Sequence, residues 1–207
     1  MYPVINSIVY CRIYIPEFKG KYGSLINEKA HVLGVDPNVL ASVIIVESSG
    51  SGFVDGKLKI RFENHIFVDR AGYSDLFAYN SNKRWTGHKY KENSNDSWAN
   101  VHTGHQKSEY AAFEFAKTLD PEAAYQSISM GMGQIMGFNY KAAGYNSAKE
   151  MFDDFNEGHS QQINGMVTFI ENYNGGKALS ALQNSDYRTF VRYYNGSGQV
   201  DAYTKNW

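Results

Sequence analysis

One cysteine, Cys11, and four prolines are all that this 207-residue chain holds of the residues that most constrain a small fold. A lone cysteine cannot form an intrachain disulfide, so packing must hold the fold, and synthesis in a reducing compartment is expected. Excess charge of either sign is also missing. Twenty Lys and Arg against 21 Asp and Glu leave a formal charge of −1, whereas a protein bound mainly to a nucleic-acid backbone usually carries a basic excess. No nucleic-acid partner is therefore expected. The longest apolar run, residues 39–46, is interrupted by Ser42 and falls far short of the roughly 20 residues of a membrane span. Stable membrane insertion is not expected. The first 14 residues are rather apolar, but Arg12 follows the apolar stretch instead of preceding it, so no cleavable export signal is read there.

What the chain does hold is aromatic: 16 Tyr, 12 Phe and 3 Trp. Most such rings build cores, but tyrosine-rich clefts also suit sugars, because the ring packs while the hydroxyl hydrogen-bonds. The length fits one domain, or one domain with a small subdomain, and a monomer is expected.

Tyr22, Leu25, Ile26, Ala30 and Leu33 recur at helical spacing, and Gly34 supplies a stop. Asp36-Pro37 then caps a second helix whose apolar run, residues 39–46, predicts near-complete burial. It should end at Glu47, before Ser48-Ser49-Gly50-Ser51-Gly52. Leu58, Ile60 and Phe62 alternate with Lys57, Lys59 and Arg61, and with Phe53-Val54 across an Asp55-Gly56 turn they predict a β-hairpin. Residues 68–107 have weak periodicity and many Asn, Ser, Lys and aromatic residues, which predicts an inserted lobe or long ordered loop. Helical signals return near Ser108 and at Asp120-Pro121. They recur around Ile163, Met166, Val167 and Ile170, which precede Gly175-Gly176, and around Phe190, Val191 and Tyr194. The fold class is mainly α, formally α+β, with one small hairpin.

Glu47 stands out chemically. The negative end of a buried helix and the apolar Val43 and Ile44 one turn earlier both oppose ionisation, so its pKa should rise toward that of a general acid. Glycosidic cleavage commonly uses two carboxyl groups. Asp55 in the hairpin turn and Glu63 beyond its second strand are the candidate partners, each with a structural role open to it: Asp-Gly shapes turns, and Glu63 could pair with Arg61 or His65. Gly131-Met132-Gly133-Gln134 could let a ligand approach the backbone and offer it an amide, or could serve close helix packing.

Together these residues resemble a family. Val46-Glu47-Ser48-Ser49-Gly50-Ser51-Gly52-Phe53, Ile60-Arg61-Phe62-Glu63-Asn64-His65, Ser129-Met130-Gly131-Met132-Gly133-Gln134-Ile135-Met136-Gly137-Phe138-Asn139-Tyr140 and Tyr194-Asn195-Gly196 are similar to the N-acetylmuramidases of phage endolysins and related proteins. Two positions depart from the pattern: Met130 replaces the usual tryptophan and Asn64 the usual arginine. The resemblance implies a lysozyme-like fold and cleavage of the β-1,4 bond between N-acetylmuramic acid and N-acetylglucosamine in peptidoglycan glycan strands. No cofactor is expected. Glu47 would be the general acid and Ser48 would orient it, while Met132, Gln134, Tyr194 and Asn195 would lie along the saccharide cleft. Asp55 or Glu63 would activate water, unless the muramic acid's own hydroxyl attacks, as in lytic transglycosylases.

An endolysin without an export signal would act from the host cytoplasm and reach the wall through a pore. The rival reading is a zinc amidase or endopeptidase using His102 and His105 with His88 or His65. Without an HExxH pattern or a cysteine partner, these histidines are expected at the surface and the enzyme is expected to be metal-independent. A second rival is a module that holds glycan without cutting it, for which a carboxyl group with a raised pKa has little use. In the lobe, Trp85, Trp98, Tyr73, Tyr79 and Tyr90 are expected to assist wall binding.

Overall fold

The computed structural model describes residues 7–48, 51–80, 82 and 86–195. Helix α1 (Ser7–Leu33), longer than its periodic segment, turns at Gly34 into α2 (Pro37–Ser48). The turn uses the left-handed backbone of Gly34, φ +65°, and closes with Val35 N–H on Ala30 O at 3.0 Å. At the start of α2, Asp36 Oδ1 accepts Asn38 N–H at 2.6 Å. Leu40, Ala41, Val43, Ile44 and Ile45 are all buried, as the apolar run requires.

Strands β1 (Phe53–Val54) and β2 (Lys57–Leu58) form the expected hairpin. Asp55 and Gly56 both take positive φ, +52° and +74°, as a two-residue turn matched to the strand twist demands. The second strand does not run on to Phe62, however. The alternation continues through Lys59, but its N–H bonds back to Gly52 O at 2.8 Å and its carbonyl accepts Gly131 N–H at 2.9 Å. The chain thereby changes partner, and β3 (Ile60–Phe62) joins a second sheet of order β3-β7-β8, where β7 is Ile128–Met130 and β8 is Ile135–Met136. Buried Ile60 and Phe62 point one way and Arg61, opposite Ser129, the other.

Residues 68–107 begin inside helix α3 (Asn64–Ala71) and continue through a three-stranded antiparallel sheet of β4 (Phe77–Ala78), β5 (Lys89–Tyr90) and β6 (Ala99–Asn100). This lobe shares the main core: the Phe77 ring lies 5.7 Å from Phe62, 4.7 Å from Phe67 and 5.6 Å from Phe115. Asn64, fully buried, donates its amide to Ala78 O at 3.0 Å and Lys89 O at 2.7 Å. Its side chain fastens the lobe instead of shaping a cleft.

The rest is helical: α4 (Gln106–Leu119), α5 (Pro121–Gln126), a 3-10 turn at Gly137–Asn139, α6 (Ala148–Glu157), α7 (His159–Asn172), α8 (Lys177–Gln183) and α9 (Tyr187–Asn195). Asp120 caps α5 through Ala123 N–H at 2.9 Å. Gln183 of α8 reaches back to Leu33 O at 2.7 Å, tying the last helices to the end of α1. Among the described residues no helix is long and apolar enough to cross a membrane.

Candidate active site

Glu47 and Ser48 close α2. Val43 and Ile44, one turn before, are buried, so the backbone at Glu47 emerges from the core at the negative end of a helix. The side chains of Glu47, Ser48 and Asn195, like all of Trp85, lie outside the described residues.

The segment leaving α2 packs directly on the turn between β7 and β8. A Cβ on Gly52 would stand 1.8 Å from Gln162 Oε1 and 2.8 Å from Met132 Cγ, so only glycine fits there. Gln162, on the otherwise apolar face of α7, is fully buried. Its amide oxygen accepts Met132 N–H at 2.8 Å and its amide nitrogen donates to Phe155 O at 2.8 Å. A glutamine between apolar neighbours gives no periodic signal, and sequence reasoning missed it.

The glycines of the turn serve close packing. A Cβ on Gly131 would meet Phe155 at 2.9 Å, and one on Gly133 would meet the Tyr194 hydroxyl at 2.9 Å. That hydroxyl donates to Gly133 O at 3.0 Å. Gln134 holds a positive φ of +44°, a conformation that costs a non-glycine residue about 1–3 kcal/mol unless its surroundings impose it. The constraint is visible: its amide donates to Gly131 O at 2.8 Å and accepts the Ser129 hydroxyl at 3.2 Å. Gln134 and Tyr194, expected along the cleft, are thus brought to one turn. The Met132 side chain is fully buried and packs in the core.

The two candidate carboxylates have different surroundings. Asp55 is exposed, and among the described residues its side chain makes no hydrogen bond or ion pair. It lines a groove of about 490 Å³ with Asn100, Thr103, His105 and Gln106. Glu63 is half-buried, with Oε1 on Arg61 Nε at 2.6 Å and Oε2 facing His65 Nδ1 at 3.6 Å and His88 Nε2 at 3.8 Å.

The histidines are a correction. His105 is exposed, but His88 and His102 are buried, with 2% and 9% of their surface accessible. Neighbouring rings enclose them. His88 packs 4.3 Å from His102 and 4.7 Å from Tyr79. His102 Nδ1 lies 2.8 Å from Glu109 Oε1, while the other oxygen of Glu109 accepts Phe62 N–H at 2.9 Å. Burial, then the nearby His102, Arg61 and His65, lower His88 to about 3, so its ring is neutral near pH 7.

The sequence profile of the family described as Muramidase, N-acetylmuramidase, matches residues 36–206. A crystal structure of Burkholderia AP3 phage endolysin is similar, with a TM-score of 0.63 and 27% identity over 86% of this chain. The match covers 64% of that endolysin's own length. No curated protein sequence matches the chain.

Proposed function

Since the chain belongs to the N-acetylmuramidase family, we propose that it degrades bacterial peptidoglycan by cleaving the β-1,4 bond between N-acetylmuramic acid and N-acetylglucosamine, with Glu47 as general acid. The observation that carries this reading is the contact of Gly52 with Gln162 and Met132. That contact brings the chain beyond α2 against the turn containing Gln134, to which Tyr194 bonds, and so supports a saccharide cleft beside Glu47. A carboxyl group leaving a buried helix at its negative end is held protonated until it meets the glycosidic oxygen. It then donates the proton as the bond to the leaving sugar breaks.

For the second step we favour water over the substrate's own hydroxyl. Glu63 has one oxygen on Arg61 and turns the other toward two histidines. Asp55 is solvent-facing on the hairpin, which leaves its carboxylate available to take a proton from water. Attack from the face opposite Glu47 would invert the anomeric centre, with carboxyl groups separated by roughly 6.5–9.5 Å. The biological role we propose is endolysin action: accumulation in the host cytoplasm, passage through a pore, and lysis on reaching the wall.

Mass spectrometry of soluble fragments from purified peptidoglycan tests the reading. Reducing N-acetylmuramic acid ends support it. 1,6-Anhydro ends, lighter by one water, would make the protein a lytic transglycosylase, and freed stem peptides would make it an amidase or endopeptidase.

A further inference from the structure

We infer that Glu63, His65 and His88 form a binding site for one divalent transition-metal ion of the zinc class, clamping the lobe to the body of the domain. This is independent of the bond that the enzyme cuts. Glu63 occupies the cap position of α3 with extended backbone, φ −103° and ψ 95°, yet its side chain makes no capping bond. A cap-position side chain ordinarily accepts a helix N–H. Here it turns aside, toward the two imidazoles.

The distances suit a shared ion better than direct contacts. Glu63 Oε2 stands 3.6 Å from His65 Nδ1 and 3.8 Å from His88 Nε2, beyond the roughly 2.7–3.2 Å of good hydrogen bonds to nitrogen. Ligands about 2.0–2.2 Å from a tetrahedral ion stand about 3.3–3.6 Å apart, close to the two distances from Glu63, so the two imidazoles would draw together around the ion. All three ligand atoms lie within 4.8 Å of one another. His65 Nδ1 is buried and has no hydrogen-bond partner, which costs free energy unless something fills the position. Two imidazoles and one carboxylate select zinc-class ions over magnesium or calcium, which prefer all-oxygen sites. Three protein ligands also leave a fourth position on the side where Glu63 and His65 meet solvent.

The contacts around the three ligands fit partly and limit the affinity. Arg61 holds the other oxygen of Glu63 at 2.6 Å, fixing the carboxylate but setting a positive charge beside the ion. Asn64 N–H reaches His88 Nδ1 at 3.4 Å, which puts the proton of the neutral ring on Nε2. Ligation must move that proton, at the expense of a contact already longer than a good hydrogen bond. The ion would join β3 and α3 to the start of β5, across the intervening β4 segment.

The full-length protein, stripped with chelator and dialysed, is titrated with Zn²⁺ by calorimetry, and with Co²⁺ by visible absorption to report geometry. One ion per chain, a tetrahedral Co²⁺ spectrum and a raised thermal midpoint are expected. His65→Ala, at a half-exposed position, should weaken binding at least about tenfold while leaving the apo midpoint within a few degrees. His88→Gln should do the same if it folds, and His105→Ala should change nothing. No binding by the wild type, or binding that survives His65→Ala, overturns the site.

Discussion

Gly52 and Gln162 are in contact so close that any side chain at 52 would collide with the amide oxygen that holds Met132 N–H. This pairing joins the loop after Glu47 to the β7–β8 turn. Gly52→Ala should cost about 1–3 kcal/mol through overpacking. Gln162→Ala should cost about 2–4 kcal/mol, because Met132 N–H and Phe155 O lose their buried partner. In the double variant the closest clash, with the Gln162 amide, is gone, so its loss should be smaller than the sum of the two single losses. Denaturant melts of all four proteins measure this coupling, and strict additivity would contradict the contact.

Asp55 sits at φ +52°, which asparagine tolerates almost as well as glycine. Asp55→Asn therefore keeps the hairpin and removes only the proposed base. Hydrolysis should fall by about 10²–10⁴ with an unchanged thermal midpoint. Full activity in this variant would return the second step to Glu63 or to the substrate's own hydroxyl.

Tyr110 of α4 donates to Leu58 O at 2.8 Å, and burial, with Glu114 second, pushes its phenol up to about 12. A raised folded-state pKa gives stability that is complete below the ordinary value near 10 and lost as pH climbs toward 12. The protein should lose about 1–2 kcal/mol across that window, allowing for partial exposure. Tyr110→Phe should be about 1 kcal/mol less stable at neutral pH and lack the Tyr110 part of the alkaline loss. Urea melts at pH 8, 10 and 11.5 measure the difference, and the same alkaline loss in both proteins would refute it.

Tyr79 and Trp98 are exposed at 43% and 41%, and Lys91 Nζ lies 4.9 Å from the Trp98 ring. If the lobe assists wall binding, Tyr79→Ala with Trp98→Ala should reduce pelleting with insoluble peptidoglycan severalfold, and adding Trp85→Ala should reduce it further. Thermal melting should stay close to the wild type. Unchanged pelleting would leave the lobe a passive insertion.

Local chemistry made much of this fold legible. Asp36-Pro37 and Asp120-Pro121 marked helix starts, and Asp55-Gly56 marked the hairpin turn. Tertiary partners hid the rest. The alternation from Lys57 to Phe62 reads as one strand, but Lys59 bonds to Gly52 on one side and Gly131 on the other, and no spacing reveals that exchange. The expected lobe boundary at Val68 cuts α3, whose start at Asn64 is fixed by strands of the lobe itself. His88 and His102 look like surface residues in a polar stretch, and side chains that no spacing singles out, Tyr79, Glu63 and Glu109, pack around them. Met132 stands in a segment expected to touch ligand, and packing by Gln162 and Gly52 turns its side chain inward.

The most direct test replaces Glu47 by Gln, which keeps size and hydrogen bonding but cannot donate the proton. General acid catalysis is worth about 10²–10⁴ in rate, or about 3–5 kcal/mol of transition-state stabilisation. Release of fragments with reducing N-acetylmuramic acid ends should fall by that factor. Pelleting with peptidoglycan should survive, and the thermal midpoint should be unchanged or slightly higher, since a neutral amide at the negative end of α2 opposes the helix dipole less than a carboxylate does. Near-normal release of those fragments by a folded Glu47→Gln protein would contradict the assignment of the general acid and the mechanism built on it.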